Sequence, residues 1–321
     1  MNFSNSSNFY EIVLVGFPNL QQFSIFLFMT LLCIYLFIIA ANIIIFFVIQ
    51  RQPSLHNPMN FFIAVLSCLE ICYTSVTIPK MLADLLDEEK KISFPGCILQ
   101  AYVAHSLGAS ECYILTIMGY DRYLAICKPL QYSSIITTRF CIYLVVGCFV
   151  GGFLIPLIEV VLISPLPFCG PNRIENVFCD FLPLLSLACT DTEFYTMVEF
   201  CIGLFTLLIM SLPLILFSYI RIIHVILNMK SKIGRRKAFS TCGAHLMVVI
   251  LFFGSAAFVY VRASENSFVD FDRTVGLTYA VFTPLANPVI YGLRNQEIKK
   301  SIGRLFCPSK EAELSIKEAA V

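Results

Sequence analysis

The residues in this chain that could do chemistry are charged groups set in apolar text. Asp121-Arg122 closes one long hydrophobic run, and Glu70 and Glu111 stand inside two others. An ionised side chain in hydrocarbon is costly unless it is paired or reaches water, so a carboxylate within a membrane span marks a functional site by default. Glu159 and Glu199 lie nearer the outer ends of their runs and are ambiguous, with a solvated side chain as the simple reading. No nucleophile–base pair and no metal-ligand spacing is legible along the chain, so the chemistry to expect is binding and switching, not catalysis.

The elements that position these groups follow from composition. Of 321 residues 58% are hydrophobic and 13% charged, about half the charged fraction of a soluble domain. That excludes a soluble protein, and a net charge of +1 offers nothing to nucleic acid. Seven apolar stretches, near 23–50, 58–85, 97–122, 139–163, 195–227, 238–262 and 273–293, each reach the roughly 20 residues a helix needs to cross a bilayer. The seventh is the most diluted, by Thr274, Thr278, Thr283 and Asn287. The expected fold is therefore an all-α membrane protein, a seven-helix transmembrane bundle over 23–293. Residues 1–22 form an outer N-terminus, and 294–321 an inner segment with a short amphipathic helix followed by Cys307, a candidate for acylation.

Three signals agree on the orientation. Sixteen of the 22 Lys and Arg residues fall in segments that an external N-terminus makes cytoplasmic, as the positive-inside rule requires. Cys97, Cys169, Cys179 and Cys189 then lie in outer segments, where an oxidising compartment permits disulfides in any of three pairings. The sequons at Asn2 and Asn5 fall on the same side. A multi-pass plasma-membrane protein with an extracellular N-terminus is expected.

Finer text carries a family resemblance. His56-Asn57-Pro58-Met59-Asn60-Phe61-Phe62, Met118-Gly119-Tyr120-Asp121-Arg122-Tyr123-Leu124-Ala125-Ile126-Cys127, Ser218-Tyr219, Lys237-Ala238-Phe239-Ser240-Thr241-Cys242-Gly243-Ala244-His245-Leu246 and Pro284-Leu285-Ala286-Asn287-Pro288 occur in order, each in the expected span. Together with Asn42 and Tyr291 they resemble the olfactory receptors of the tetrapod type (class II), within the rhodopsin-like G-protein-coupled receptors. Asn60, Gly119 and Phe253 depart from the usual family text. The chain has no Trp, so a tryptophan-switch account of activation does not carry over.

The resemblance implies roles. Asp121 would hold Arg122 at rest and release it toward Tyr219, Tyr291 and an incoming G protein, with Tyr123, Asn287 and Pro288 in the same machinery; the plainer alternative is an ion pair that anchors the helix end. Glu70 and Glu111 would face each other mid-bundle near Asn42 and Asn287. Two close carboxylates need a shared proton or a cation, so a sodium ion is the one cofactor to consider, against a protonated pair without an ion. The ligand would sit in the outer half of the bundle, against His105, Gly108, Ala109, Phe200, Leu204, Leu207, Phe253, Ala256, Ala257, Tyr260, Tyr279 and Ala280. This mostly apolar set suits a small volatile odorant, with a structural histidine as the alternative reading of His105. Disulfides Cys97–Cys179 and Cys169–Cys189 are implied. So is coupling to a heterotrimeric G protein of the olfactory stimulatory type, raising cyclic AMP. Ala104 stands where amine receptors carry an acid, and 273–293 contains no Lys for a retinal Schiff base. The rivals are a same-fold receptor for a metabolite outside the nose and, further off, a transporter or channel.

From His105 to Arg122 is seventeen residues, about 25 Å along a helix. Events at the two ends are coupled only if helices shift between packed arrangements.

Overall fold

The computed structural model describes residues 11–169, 171–262 and 269–306. Asn2, Asn5 and Cys307 lie outside them. The first helix, α1 (Ser24–Arg51), follows a 3-10 turn over Pro18–Phe23. Next come α2 (Pro58–Leu86), α3 (Phe94–Cys127), the short α4 (Pro129–Ile135) and α5 (Thr138–Ile163). The loop after α5 carries the small α6 (Phe181–Leu185). The fifth span is α7 (Glu193–Leu204), a π-helical segment (Phe205–Ser211) and α8 (Leu212–Leu227) in succession. The chain then forms α9 (Lys232–Arg262), α10 (Val269–Arg294) and α11 (Gln296–Phe306).

Local chemistry sets several helix starts. Asn57 accepts from Asn60 N at 2.9 Å, Ser93 from Gly96 N at 3.2 Å and Thr137 from Phe140 N at 3.3 Å. Each side chain occupies a donor the first turn leaves unpaired, and Pro58 and Pro95 follow two of them where a missing N–H costs nothing. In the fifth span the π-helical segment runs into Pro213, a residue with no N–H to contribute to a regular ladder. The apolar stretch 195–227, uniform in hydropathy, is thus not a uniform helix. Elsewhere helices overrun the spans: α3 extends beyond 97–122 at both ends, and α9 starts six residues before 238. Hydropathy locates the bilayer, whereas backbone hydrogen bonding carries the helix past it.

Among the described residues four segments, Pro18–Arg51, Pro58–Leu86, Thr138–Ile163 and Glu193–Leu227, are long and apolar enough by themselves to cross a membrane. The helix α3 is as long but buries Gln100, Glu111 and Asp121. Burial is inverted relative to a soluble protein: Ile25, Phe26, Tyr143, Val161, Ile209 and Ile220 are exposed, while Asn42, Glu70, Glu111, Asp121 and Asn287 are buried. Hydrocarbon solvent demands this arrangement. The centre is α3, which packs against α2, α5, α8 and α9 and whose Ile114, Leu115 and Met118 are wholly buried.

At the end where α3 begins, a small sheet adds to the helical fold. Strand β1 (Glu11–Leu14) lies between β2 (Lys91–Ser93), antiparallel to it, and β3 (Arg173–Ile174), parallel to it. Part of the segment read as an outer terminus is therefore a strand, with Ile12 and Leu14 buried; its alternation Ile12, Leu14 is too short to stand out in sequence. Disulfides Cys97–Cys179 and Cys169–Cys189 close the same end. The first holds the loop against the top of α3.

Candidate functional site

Three polar constellations lie along α3. At the strand-bearing end, His105 Nδ1 is 3.0 Å from Glu159 Oε2 on α5 and 3.7 Å from Glu199 Oε1 on α7. Its Nε2 is 2.9 Å from Asp180 Oδ1 in the loop. Asp180 is placed by Cys179 beside it, whose disulfide partner Cys97 starts α3, and its Oδ1 also accepts from Phe181 N at 2.8 Å. Burial works to raise the Asp180 carboxyl, but the hydrogen bond and charge of His105 outweigh it and hold it below the usual carboxylate range. Glu159 and Glu199 do not reach water as their positions in the sequence suggested: they are 2% and 5% exposed, turned inward onto His105. Their apolar neighbours hide this, because hydropathy carries no information about which face of a helix is turned inward.

In mid-bundle, Asn287 Nδ2 donates to Glu70 Oε1 and, at 3.2 Å, to Glu111 Oε1. Three spans thus meet on one amide. Asn42, expected beside them, is buried but donates to Ile38 O of its own helix at 3.0 Å. Glu70 Oε2 is buried with no hydrogen-bond partner among the described residues. Hard carboxylate and amide oxygens with one orphaned acceptor fit a small hard cation.

At the far end of α3, Asp121 holds Arg122: Arg122 Nε donates to Asp121 Oδ2 at 3.0 Å and Nη2 donates to the same oxygen. Tyr132 on α4, which the sequence did not single out, donates to Asp121 Oδ1 at 2.7 Å. Burial, then the Asp121 charge, push the Tyr132 hydroxyl up from its ordinary value, so it stays a donor. Tyr219 does not face Arg122 in this state. Its hydroxyl lies 2.6 Å from His245 Nδ1, and His245 Nε2 lies 3.0 Å from Leu115 O. A carbonyl only accepts, so Nε2 carries the proton and Nδ1 accepts from Tyr219. His245 was visible only as part of the α9 motif; its neighbours are 26 and 130 residues away. Tyr123 packs on Phe217, ring centroids 5.5 Å apart, Pro288 lies inside α10, and the Tyr291 hydroxyl is buried with no hydrogen-bond partner among the described residues.

Of the expected ligand-lining residues, Gly108, Ala109, Leu204, Leu207 and Phe253 are half-buried and Ala280 is wholly buried. Phe200 is 41% exposed, while Glu199 beside it takes the inward direction. The side chains of Ala256, Ala257, Tyr260 and Tyr279 lie outside the described part. A cavity of about 600 Å³ opens elsewhere, between the turn before α1 and the ends of α1 and α2, with Leu31, Met81 and Asp84 in its wall. None of the twelve expected lining residues borders it among the described residues.

A bundle of membrane-length helices with a disulfide-pinned loop at one end, a buried polar centre and an Asp-Arg pair at the other defines a seven-span membrane receptor, not an enzyme. The family model for the olfactory receptors matches residues 31–309, and the chain belongs to that family. It is 50% identical over 304 residues to olfactory receptor 6N1 of Homo sapiens, covering 95% of this chain and 97% of that one. It is 49% identical to human olfactory receptor 6K3, covering 97% and 93% of the two chains. Olfactory receptor 226 of Rattus norvegicus is 41% identical, with 97% and 96% covered.

Proposed function

We propose that the chain is an odorant receptor of the plasma membrane with an extracellular N-terminus. It binds a small, mostly apolar volatile molecule in the outer half of the bundle and activates a heterotrimeric G protein of the olfactory stimulatory type, raising cyclic AMP. The observation that carries this reading is the polar column on α3, in a chain of the olfactory receptor family. His105 stands near one end, Glu111 shares Asn287 with Glu70 in the middle, and Asp121 holds Arg122 at the other end.

A ligand shifts the resting state only by binding another arrangement better. In the resting arrangement Asp121 occupies Arg122, and His245 occupies Tyr219. Release of both exposes the cytoplasmic end of α3 to the G protein, with Tyr291 as the unpartnered hydroxyl available to join. A sodium ion held by Glu70, Glu111 and Asn287 would favour the resting state by tying α2, α3 and α10 together. A cyclic-AMP reporter screen with a mixed odorant panel tests the reading. Response to at least one odorant in wild type, abolished in Arg122→Ala at equal surface expression, is expected. Silence to every odorant in well-expressed wild type would count against it.

A further inference from the structure

At the strand-bearing end of α3 three carboxylates, Glu159, Asp180 and Glu199, converge on one imidazole, that of His105. Carboxylates gathered this closely need a shared proton or a cation among them. A second observation points to a ligand: Glu199, 5% exposed, faces His105 with its Oε1, while its Oε2 is buried and, with the carboxyl ionised, has no hydrogen-bond donor among the described residues.

We propose that His105, Asp180 and Glu199 form a binding site for one divalent transition-metal ion, zinc in the first instance, with Glu159 orienting the ring. One ligand atom each from His105, Asp180 and Glu199 lie within 4.8 Å of one another, a spacing that small side-chain movements bring around a single ion. With the ion on Nε2, beside Asp180, the other ring nitrogen Nδ1 keeps Glu159. That carboxylate–histidine–metal arrangement orients the ring and raises its basicity.

The donor set decides the class of ion. One imidazole with carboxylate oxygens suits zinc and its first-row neighbours, and no thiolate competes from the loop, because Cys179 and Cys97 are bonded to each other. Entry is open: the His105 and Asp180 side chains are each 28% exposed, while the two glutamates form the buried floor. The three donors come from α3, the loop and α7, so the ion would lock the loop onto two spans. No catalytic or family motif marks the site, since its members are spread over 95 residues of sequence.

The test uses the full chain, purified and chelator-treated, titrated with zinc alone. One zinc per chain, removed by EDTA, is expected in wild type. Glu199→Gln and His105→Gln should each weaken binding at least tenfold, while Glu297→Gln, on exposed α11, should leave it unchanged. No uptake by wild type, or equal affinity in both cluster variants, overturns the proposal. Should those variants fail to fold, X-ray absorption on zinc-loaded wild type decides it. Nitrogen and oxygen donors at about 2.0–2.2 Å support the site, and a sulfur shell at about 2.3 Å sinks it. None of these readouts depends on the odorant.

Discussion

At the residue scale, two side chains bear on the proposed resting state, Tyr132 outside the sequence motifs and Asn287 within one. Tyr132 donates to Asp121 Oδ1, the oxygen Arg122 leaves free. Tyr132→Phe removes that bond without a cavity and should loosen Asp121. Cyclic AMP in the absence of odorant is expected to rise at unchanged surface expression, whereas an unchanged baseline would make Tyr132 a bystander. Asn287 is the shared donor of Glu70 and Glu111. Asn287→Ala leaves two buried carboxylates short of a partner, with an expected loss of about 1–3 kcal/mol per unsatisfied group, read as a lower melting temperature in detergent. The motif departures are benign in place. A Cβ added at Gly119 would meet His245 Cε1 at 3.6 Å, an ordinary contact. Asn60 donates to Leu55 O at 3.0 Å and accepts from Asn295 at 3.1 Å, tying the start of α2 to the residue before α11.

At the element scale, the α3–α5 crossing depends on Gly152. A Cβ there would stand 2.1 Å from Ser110 Oγ and 2.9 Å from the Ser106 carbonyl, and backbone cannot swing aside as a side-chain end can. Gly152→Ala should cost about 1–3 kcal/mol by overpacking, whereas Gly147→Ala, one turn and a residue away with nothing within 4 Å, should be close to neutral. Thermal unfolding of the two variants side by side checks the contrast; equal melting temperatures would dismiss the close crossing. The sequence places both glycines on one apolar helix and offers no means to rank them, because the ranking belongs to α3. The same reasoning explains why the sequence left Glu159 and Glu199 ambiguous. Membrane depth is legible from hydropathy, but helix rotation is not.

At the scale of the whole molecule, orientation is the property to test. Leu130, 97% exposed on α4, and Glu88, exposed beyond the end of α2, lie at opposite ends of the bundle. A membrane-impermeant thiol reagent should label Glu88→Cys on intact cells and Leu130→Cys only after permeabilisation. Reversed labelling would invert the proposed topology.

The amino-acid sequence alone determined the class of molecule, the number and place of the apolar stretches and the motif residues of α2, α3, α9 and α10. These follow from local quantities: hydropathy summed over a span, charge counted between spans, and short strings that resemble those of a family. Tertiary structure alone decided which charged groups meet. Asp180 reaches His105 across 75 residues because Cys179 is bonded to Cys97, and Asn287 reaches Glu70 across 217 because α10 returns beside α2. In hydrocarbon a polar side chain must find its partner inside the protein, so the pairing is set by how the helices pack and rotate, not by spacing along the chain.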